Sequence, residues 1–205
     1  WIMNESGGLT AYDISGNGNH GTLTNGPTWT QGQFGPALSF DGTNDHVNLG
    51  NPTVLRITNS ITVGAWIKTN TSPQYSVICG KVYSVIAYTL EITTANKVMF
   101  AINARATSAI TNNGVNSNTW IHLVGTYDQS QIILYVNGVK QTSTYSLSSA
   151  ISDTTDKVGI GSQVSSIDQS SEPFSGLIDD VRVYNRALTA DEVMSLYSDG
   201  FLEFR

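Results

Sequence analysis

The densest chemistry in this sequence is a set of oxygen ligands near one end. Asp13-Ile-Ser-Gly-Asn-Gly-Asn-His-Gly21 places one carboxylate and two side-chain amides, Asn17 and Asn19, among glycines. Small, glycine-spaced residues let a loop fold tightly and turn its carbonyls inward. Oxygen-only ligands suit a hard cation such as calcium, which tolerates irregular geometry. The segment lacks the pattern and the closing glutamate of an EF-hand. Far along the chain, Leu177-Ile-Asp-Asp-Val-Arg-Val183 alternates so that Leu177, Asp179, Val181 and Val183 share one face. Three of those four are core-type residues, so the alternation predicts that Asp179 points inward. A carboxylate there needs a cation or several N–H donors. Two readings follow. In one, Asp13, Asp179 and carbonyls of Gly18 and Asn19 share a structural calcium. In the other, Asp13 closes an Asx turn and Asp179 accepts backbone amides.

No other polar residues are spaced for catalysis. The five glutamates are Glu5, Glu91, Glu172, Glu192 and Glu203, and Glu91 stands alone on its strand. His20, His46 and His122 are not at metal-pair spacing, and no G-x-S-x-G elbow occurs. Turn chemistry accounts for Asp41 and Asp45, and Asp153 and Asp156 fall in a polar loop. Cys79, the only cysteine, lies in the apolar run Val77-Ile-Cys79 and reads as a small buried hydrophobe.

Binding chemistry rests on aromatics. Sugars lay their C–H faces on rings while amide, carboxylate and guanidinium groups satisfy the hydroxyls. Tyr75 and Tyr83 lie in irregular segments, and with Asn103 and Arg105 on a neighbouring strand they are placed to line a polar concave face. Trp29, in a loop, is either an exposed contact or a lid on the fold. Trp66 and Trp120 read as structural, and sheet-surface aromatics also serve as cross-strand pairs.

The elements that must hold these groups are almost all strands. Residues 61–68 alternate with Ile61, Val63, Ala65 and Ile67 on one face, and 98–102, 120–127 and 132–136 are rich in β-branched and aromatic residues. Asn137-Gly138 between two such runs predicts a type I′ hairpin, which makes 119–145 a three-strand meander. One helix is predicted. Thr189-Ala-Asp-Glu192 is a capping box, Val193, Leu196 and Tyr197 follow at helical spacing, and Gly200 closes the segment. No repeat or linker divides the chain, so 1–205 reads as a single all-β domain: a two-sheet antiparallel sandwich with one short C-terminal helix.

Charge excludes some partners. The net charge is −6 and the ten Lys and Arg residues are scattered, so no basic stripe exists for nucleic acid. No apolar run approaches the ~20 residues that span a membrane. No basic-then-apolar leader opens the chain at Trp1.

Three segments carry a resemblance. They are Trp1-Ile-Met-Asn-Glu5 with residues 12–21; Gly35-Pro-Ala-Leu-Ser-Phe-Asp-Gly42 with Asp45-His-Val47; and residues 174–188 with the capped helix. In this order they resemble the laminin-G-like jelly rolls of the concanavalin A-like lectin/glucanase superfamily, with Ala65-Trp66-Ile67 and residues 134–138 similar to its central strands. The resemblance implies two curved antiparallel sheets, often a calcium ion, and a role in binding or adhesion. Glycosidases of that architecture carry an E-x-D-x-x-E strand, which puts two carboxylates on one face; this sequence has none. The expectation is therefore a non-catalytic module for carbohydrate or cell-surface recognition, extracellular, cell-surface or virion-associated. The competing expectation is a structural or assembly domain of a virion or surface protein acting through protein–protein contacts.

Overall fold

A computed structural model describes residues 1–70, 74–115 and 117–199. In chain order the strands begin β1 (Thr10–Ala11), β2 (Gly21–Thr24), β3 (Thr28–Gln31), β4 (Pro36–Asp41), β5 (His46–Asn48) and β6 (Ile61–Thr69). Then come β7 (Ser76–Val82), β8 (Ile86–Ile92), β9 (Val98–Ile102), β10 (Ala104–Ile110), β11 (Ile121–Tyr127) and β12 (Gln131–Val136). The last are β13 (Val139–Lys140), β14 (Tyr145–Ser146), β15 (Val158–Ile160), β16 (Gln163–Val164), β17 (Ser170–Ser171) and β18 (Ser175–Tyr184), before helix α1 (Ala190–Asp199).

They form two large sheets, ordered β1-β2-β5-β15-β7-β8-β9-β10 and β13-β12-β11-β6-β18-β4-β3, with a small β16–β17 hairpin beside them. Neighbouring strands pair antiparallel throughout. One buried apolar cluster lies between the sheets. The second contributes Ile61, Val63, Ala65, Ile67, Leu123, Ile178 and Val181, and the first contributes Ile78, Cys79, Leu90, Phe100 and Ala109. Its members run from Trp1 to Val181. The sheets approach so closely that a Cβ built on Gly125 would sit 2.1 Å from Phe100 Cγ. Burial in this cluster pushes the Cys79 thiol up to about 12, so it packs as a hydrophobe.

Several local expectations are met. Asn137 and Gly138 have φ of 50° and 76°, as a type I′ turn requires, and β11, β12 and β13 are sheet neighbours. At the helix start the Thr189 amide donates to Glu192 Oε2 (2.8 Å) and the Glu192 amide to Thr189 Oγ1 (3.3 Å). Val193 of α1 packs with Leu188 on Val124 and Tyr135, on the outer face of the second sheet. Tyr197 stacks on Trp66 there, ring centroids 5.6 Å apart. Gly200, expected to close the helix, lies outside the described residues.

One expectation is corrected. Asp179 is buried, but not between the sheets. In β18 the register slips between Asp179 and Arg182, which pair with Trp66 and Gly64; Asp180 takes φ +45° there. Such a bulge adds one residue and reverses the alternation. Ile178 therefore faces the core before it and Val181 after it, while Asp179 shares the outer face with Trp66.

Candidate functional site

The same register logic separates two faces of the first sheet. Cys79, Leu90, Phe100 and Ala109 are cross-strand partners in the core; one row over, Val77, Glu91, Met99 and Ile110 are partners on the outer face. Glu91 is thus a carboxylate set into the outer surface of a central strand, and its side chain is 0% exposed. It is held by Arg105. The guanidinium donates through Nε to Glu91 Oε1 (2.6 Å) and through Nη2 to Oε2 (3.1 Å), and Thr89 Oγ1 adds a third donor at 3.2 Å.

Arg105 reaches this position because β10 opens with a bulge. Ala104 pairs with Ile102, yet Ser108 pairs with Ala101, and the excess residues loop out, held by Thr107 Oγ1 on the Ala104 carbonyl (2.8 Å) and Ser108 Oγ on the Arg105 carbonyl (2.8 Å). Glu172 joins from the segment after β17. Its carboxylate accepts from Arg105 Nη2 and Gln163 Nε2, and its carbonyl accepts the Val77 amide (3.0 Å). Tyr75 stacks on the cluster, with Arg105 Cζ 4.1 Å from its ring centroid. Burial raises the Glu91 carboxyl above its usual range, and Arg105 opposes that shift. Burial alone would lower the Arg105 pKa; its bonds to Glu91 and Glu172 raise it instead. The result is a guanidinium and an aromatic ring fixed before any ligand arrives.

Beside this cluster lies an open cleft of about 650 Å³, lined by Tyr75, Thr93, Lys97, Met99, Arg105 and Asn112 among others. A second cleft, about 420 Å³, lies between the 13–19 loop, the 3-10 turn Thr53–Leu55 and the end of β18.

The five expected ligand-binding residues are not one group. Tyr75 and Arg105 meet. Tyr83 sits in the β7–β8 turn, its hydroxyl on Gln169 Oε1 (3.1 Å). Asn103 ties the β9–β10 turn to residues 149–152: its Nδ2 donates to Ser149 Oγ (3.1 Å) and the Ala150 carbonyl (2.9 Å), and its Oδ1 accepts the Ser152 amide (2.8 Å). Trp29 lies on edge strand β3, half-buried against the core, its indole N–H on the Gly8 carbonyl (2.9 Å). Spacing alone did not single out Glu91, Glu172, Lys97 or Met99. A signal for Glu91 was present: Thr89 and Glu91 make one face of β8 polar while Tyr88, Leu90 and Ile92 make the other apolar.

Of the four expected calcium ligands, Asp13 and Asn19 bond to each other within the loop, while Asp179 bonds elsewhere. Asp13 Oδ1 accepts the Ser15 amide (2.8 Å), and Oδ2 accepts the Asn19 amide and side-chain amide (2.9 and 3.1 Å). The Asn19 carbonyl accepts the Trp1 indole N–H (2.7 Å), and Gly18 carries the loop through φ +72°. Asp179 accepts the Asp180 amide (2.7 Å). Its carboxyl is pushed up to about 7, chiefly by burial and also by the Asp180 charge, against the amides of Asp180, Gln33 and Phe34. Both carboxylates are met by N–H donors from different segments, and no three His, Cys, Asp or Glu side chains converge as metal ligands among the described residues.

Comparison with known proteins places this geometry in context. Residues 41–194 match the model of a family described as the concanavalin A-like lectin/glucanases superfamily. Mouse (Mus musculus) usherin is 26% identical over 161 residues, 76% of this chain but 3% of that protein. Domain 4 of AbnA, a GH43 extracellular arabinanase from Geobacillus stearothermophilus, has been solved in complex with arabinotriose. It superposes with a TM-score of 0.72 at 22% identity, covering 90% of this chain and 91% of that one. The binding domain of botulinum neurotoxin DC in complex with SialylT superposes with a TM-score of 0.70 at 13% identity, over 97% and 50% of the two chains.

Proposed function

Because the chain belongs to the concanavalin A-like lectin/glucanases superfamily, we propose that it is a non-catalytic carbohydrate-binding module, recognising glycans on the outer face of its first sheet as part of a larger extracellular or surface protein. The observation that carries this reading is the Tyr75–Arg105–Glu91 cluster at the edge of an open polar cleft. A rigid ring beside fixed donors is what a sugar's apolar face and hydroxyls require, and fixing them in advance removes their ordering cost on binding. The similar arabinanase and neurotoxin domains, each solved with the ligand named above, support it. Glu91 and Glu172 are both bonded to one guanidinium, and Glu91 is fully buried. Neither is free to act as an acid and base across a glycosidic bond. No helix among the described residues is long and apolar enough to cross a membrane.

Glycan-array screening followed by titration tests the reading. Tyr75→Ala should weaken binding roughly tenfold, the loss expected for a stacking ring, whereas Trp29→Ala, far from the cleft, should bind as the parent does. No glycan bound, or equal binding by Tyr75→Ala, would sink it. A second reading has one observation in its favour. Leu9, Tyr12 and Ile14 are 72%, 53% and 63% exposed within six residues, a concentration that suits a protein contact. A stable assembly that binds no glycan would favour that structural role.

Calcium is a separate proposal, resting on the oxygen-rich loop 13–19 and the family resemblance. Melting in excess calcium and in chelator decides it. A gain of several degrees, lost in Asp13→Ala, is the expected signature of a cation held there. Equal melting temperatures would leave the loop closed by its amide hydrogen bonds alone.

A further inference from the structure

The cleft beside Tyr75 differs in charge from the rest of the chain. The sequence holds sixteen acidic and ten basic residues, yet the charged residues lining this cleft are Lys97 and Arg105, both cations. The carboxylates that neutralise Arg105 lie beneath and beside it, not on the wall. They occupy Nε and Nη2 of the guanidinium, which leaves the remaining nitrogen, Nη1, outside both ion pairs. Lys97 is half-buried at the end of the β8–β9 turn, pinned by its backbone: its carbonyl accepts the Thr93 amide (2.8 Å) and its amide donates to Thr93 Oγ1 (3.3 Å). Its ammonium takes part in no ion pair among the described residues.

The charged groups of the wall are thus both donors, set among the neutral hydroxyls of Thr93, Thr94, Thr111 and Ser143 and the amide of Asn112. Those neutral groups give and take hydrogen bonds as any sugar's hydroxyls do, so what discriminates between sugars here is the pair of cations. A carboxylate or sulfate only accepts, and it matches two cations carried on one wall. Two cations are too few for the phosphate track of a nucleic acid. The Tyr75 ring and the Ile110 side chain line the same cleft and give a sugar ring an apolar surface.

We infer that this cleft takes a negatively charged sugar residue, its carboxylate or sulfate held by Lys97 and Arg105 and its ring against Tyr75. This rests on the glycan-binding reading above and names the class of glycan.

The test is calorimetric titration with three matched oligosaccharides: one bearing uronic acids, the same one carboxyl-reduced to neutral, and a sulfated one. The uronic or the sulfated form should bind at least tenfold tighter than the neutral form, and the preference should shrink as salt rises from about 50 to 500 mM. Whichever acidic form binds identifies the anion. Lys97→Met should cut the preference for the acidic form severalfold and flatten its salt dependence, with the melting temperature near the parent's, because the ammonium joins no ion pair among the described residues. Tyr75→Ala should weaken acidic and neutral forms alike. Neutral and acidic forms binding equally, with Lys97→Met unchanged, would overturn the inference and leave glycan recognition standing. If no oligosaccharide binds the parent protein in any form, the glycan reading itself fails.

Discussion

Replacing Arg105 with alanine is expected to cost about 3 kcal/mol of folding stability and to abolish glycan binding at the cleft. The stability loss comes from Glu91. Its carboxylate is fully buried, and among the described residues its oxygens accept from Arg105 N–H groups and Thr89 Oγ1. Removing one partner of a buried ion pair strands the other, which costs about 3–5 kcal/mol. The lower end applies here because the guanidinium is 29% exposed and water can enter its place. The same reasoning yields a rescue. Glu91→Gln in the Arg105→Ala background removes the stranded charge and should recover most of the stability without restoring binding. Arg105→Lys should rescue only partly, since an ammonium cannot bridge both Glu91 oxygens and Glu172 in one plane. Urea unfolding of the single and double variants measures all of this. A loss under 1 kcal/mol for Arg105→Ala, or no rescue by Glu91→Gln, would show that the cluster does not hold the site together.

The second large effect is a fall in stability as pH rises, and it belongs to Asp179. Burial pushes this carboxyl from its ordinary 3.8 up to about 7. The folded protein therefore keeps a proton that the unfolded chain releases near 4. Its favourable contribution is complete below that ordinary value and disappears as pH climbs through about 7. A rise from 3.8 to about 7 corresponds to about 4 kcal/mol at the limit, or on the order of 10 °C in melting temperature for a chain of this size. Glu91 is raised in the same direction, whereas Asp13 and Asp128 are lowered by the amides and hydroxyls they accept and act in the opposite sense at lower pH. Asp179→Asn isolates this carboxyl's contribution, because it removes the titration and keeps the side chain's size. The parent should melt well below its pH 5 value at pH 8, and Asp179→Asn should flatten that slope. Parallel profiles for the two proteins would mean that Asp179 is not the group responsible.

Asp179 also shows what was legible in the sequence and what was not. Its burial was readable, because Leu177, Val181 and Val183 around it are core-type residues. Its direction was not. Strict alternation pointed it between the sheets, and the bulge at Asp180 turned it outward onto the Trp66 face. Adjacent acidic residues in a strand give no sign that the backbone inserts a residue there. Arg105 depends on a bulge in the same way: with a regular β10 its side chain would follow the alternation of its neighbours instead of folding onto Glu91.

The sequence by itself determined whatever depends on a few neighbouring residues. The Asn137-Gly138 turn, the Thr189–Glu192 cap and the apolar face of β6 follow from backbone sterics, local hydrogen bonding and the two-residue period of a strand, and all three stand in the structure. Only the tertiary structure decided the binding face. Glu91, Arg105 and Glu172 are separated by 14 and 67 residues. They meet because β8, β9 and β10 pair in sequence while the segment after β17 returns to their outer surface. Sheet order and bulges are set by the packing of the whole core, where non-local contacts outweigh local preference, so no stretch of sequence could announce which carboxylate would hold which guanidinium.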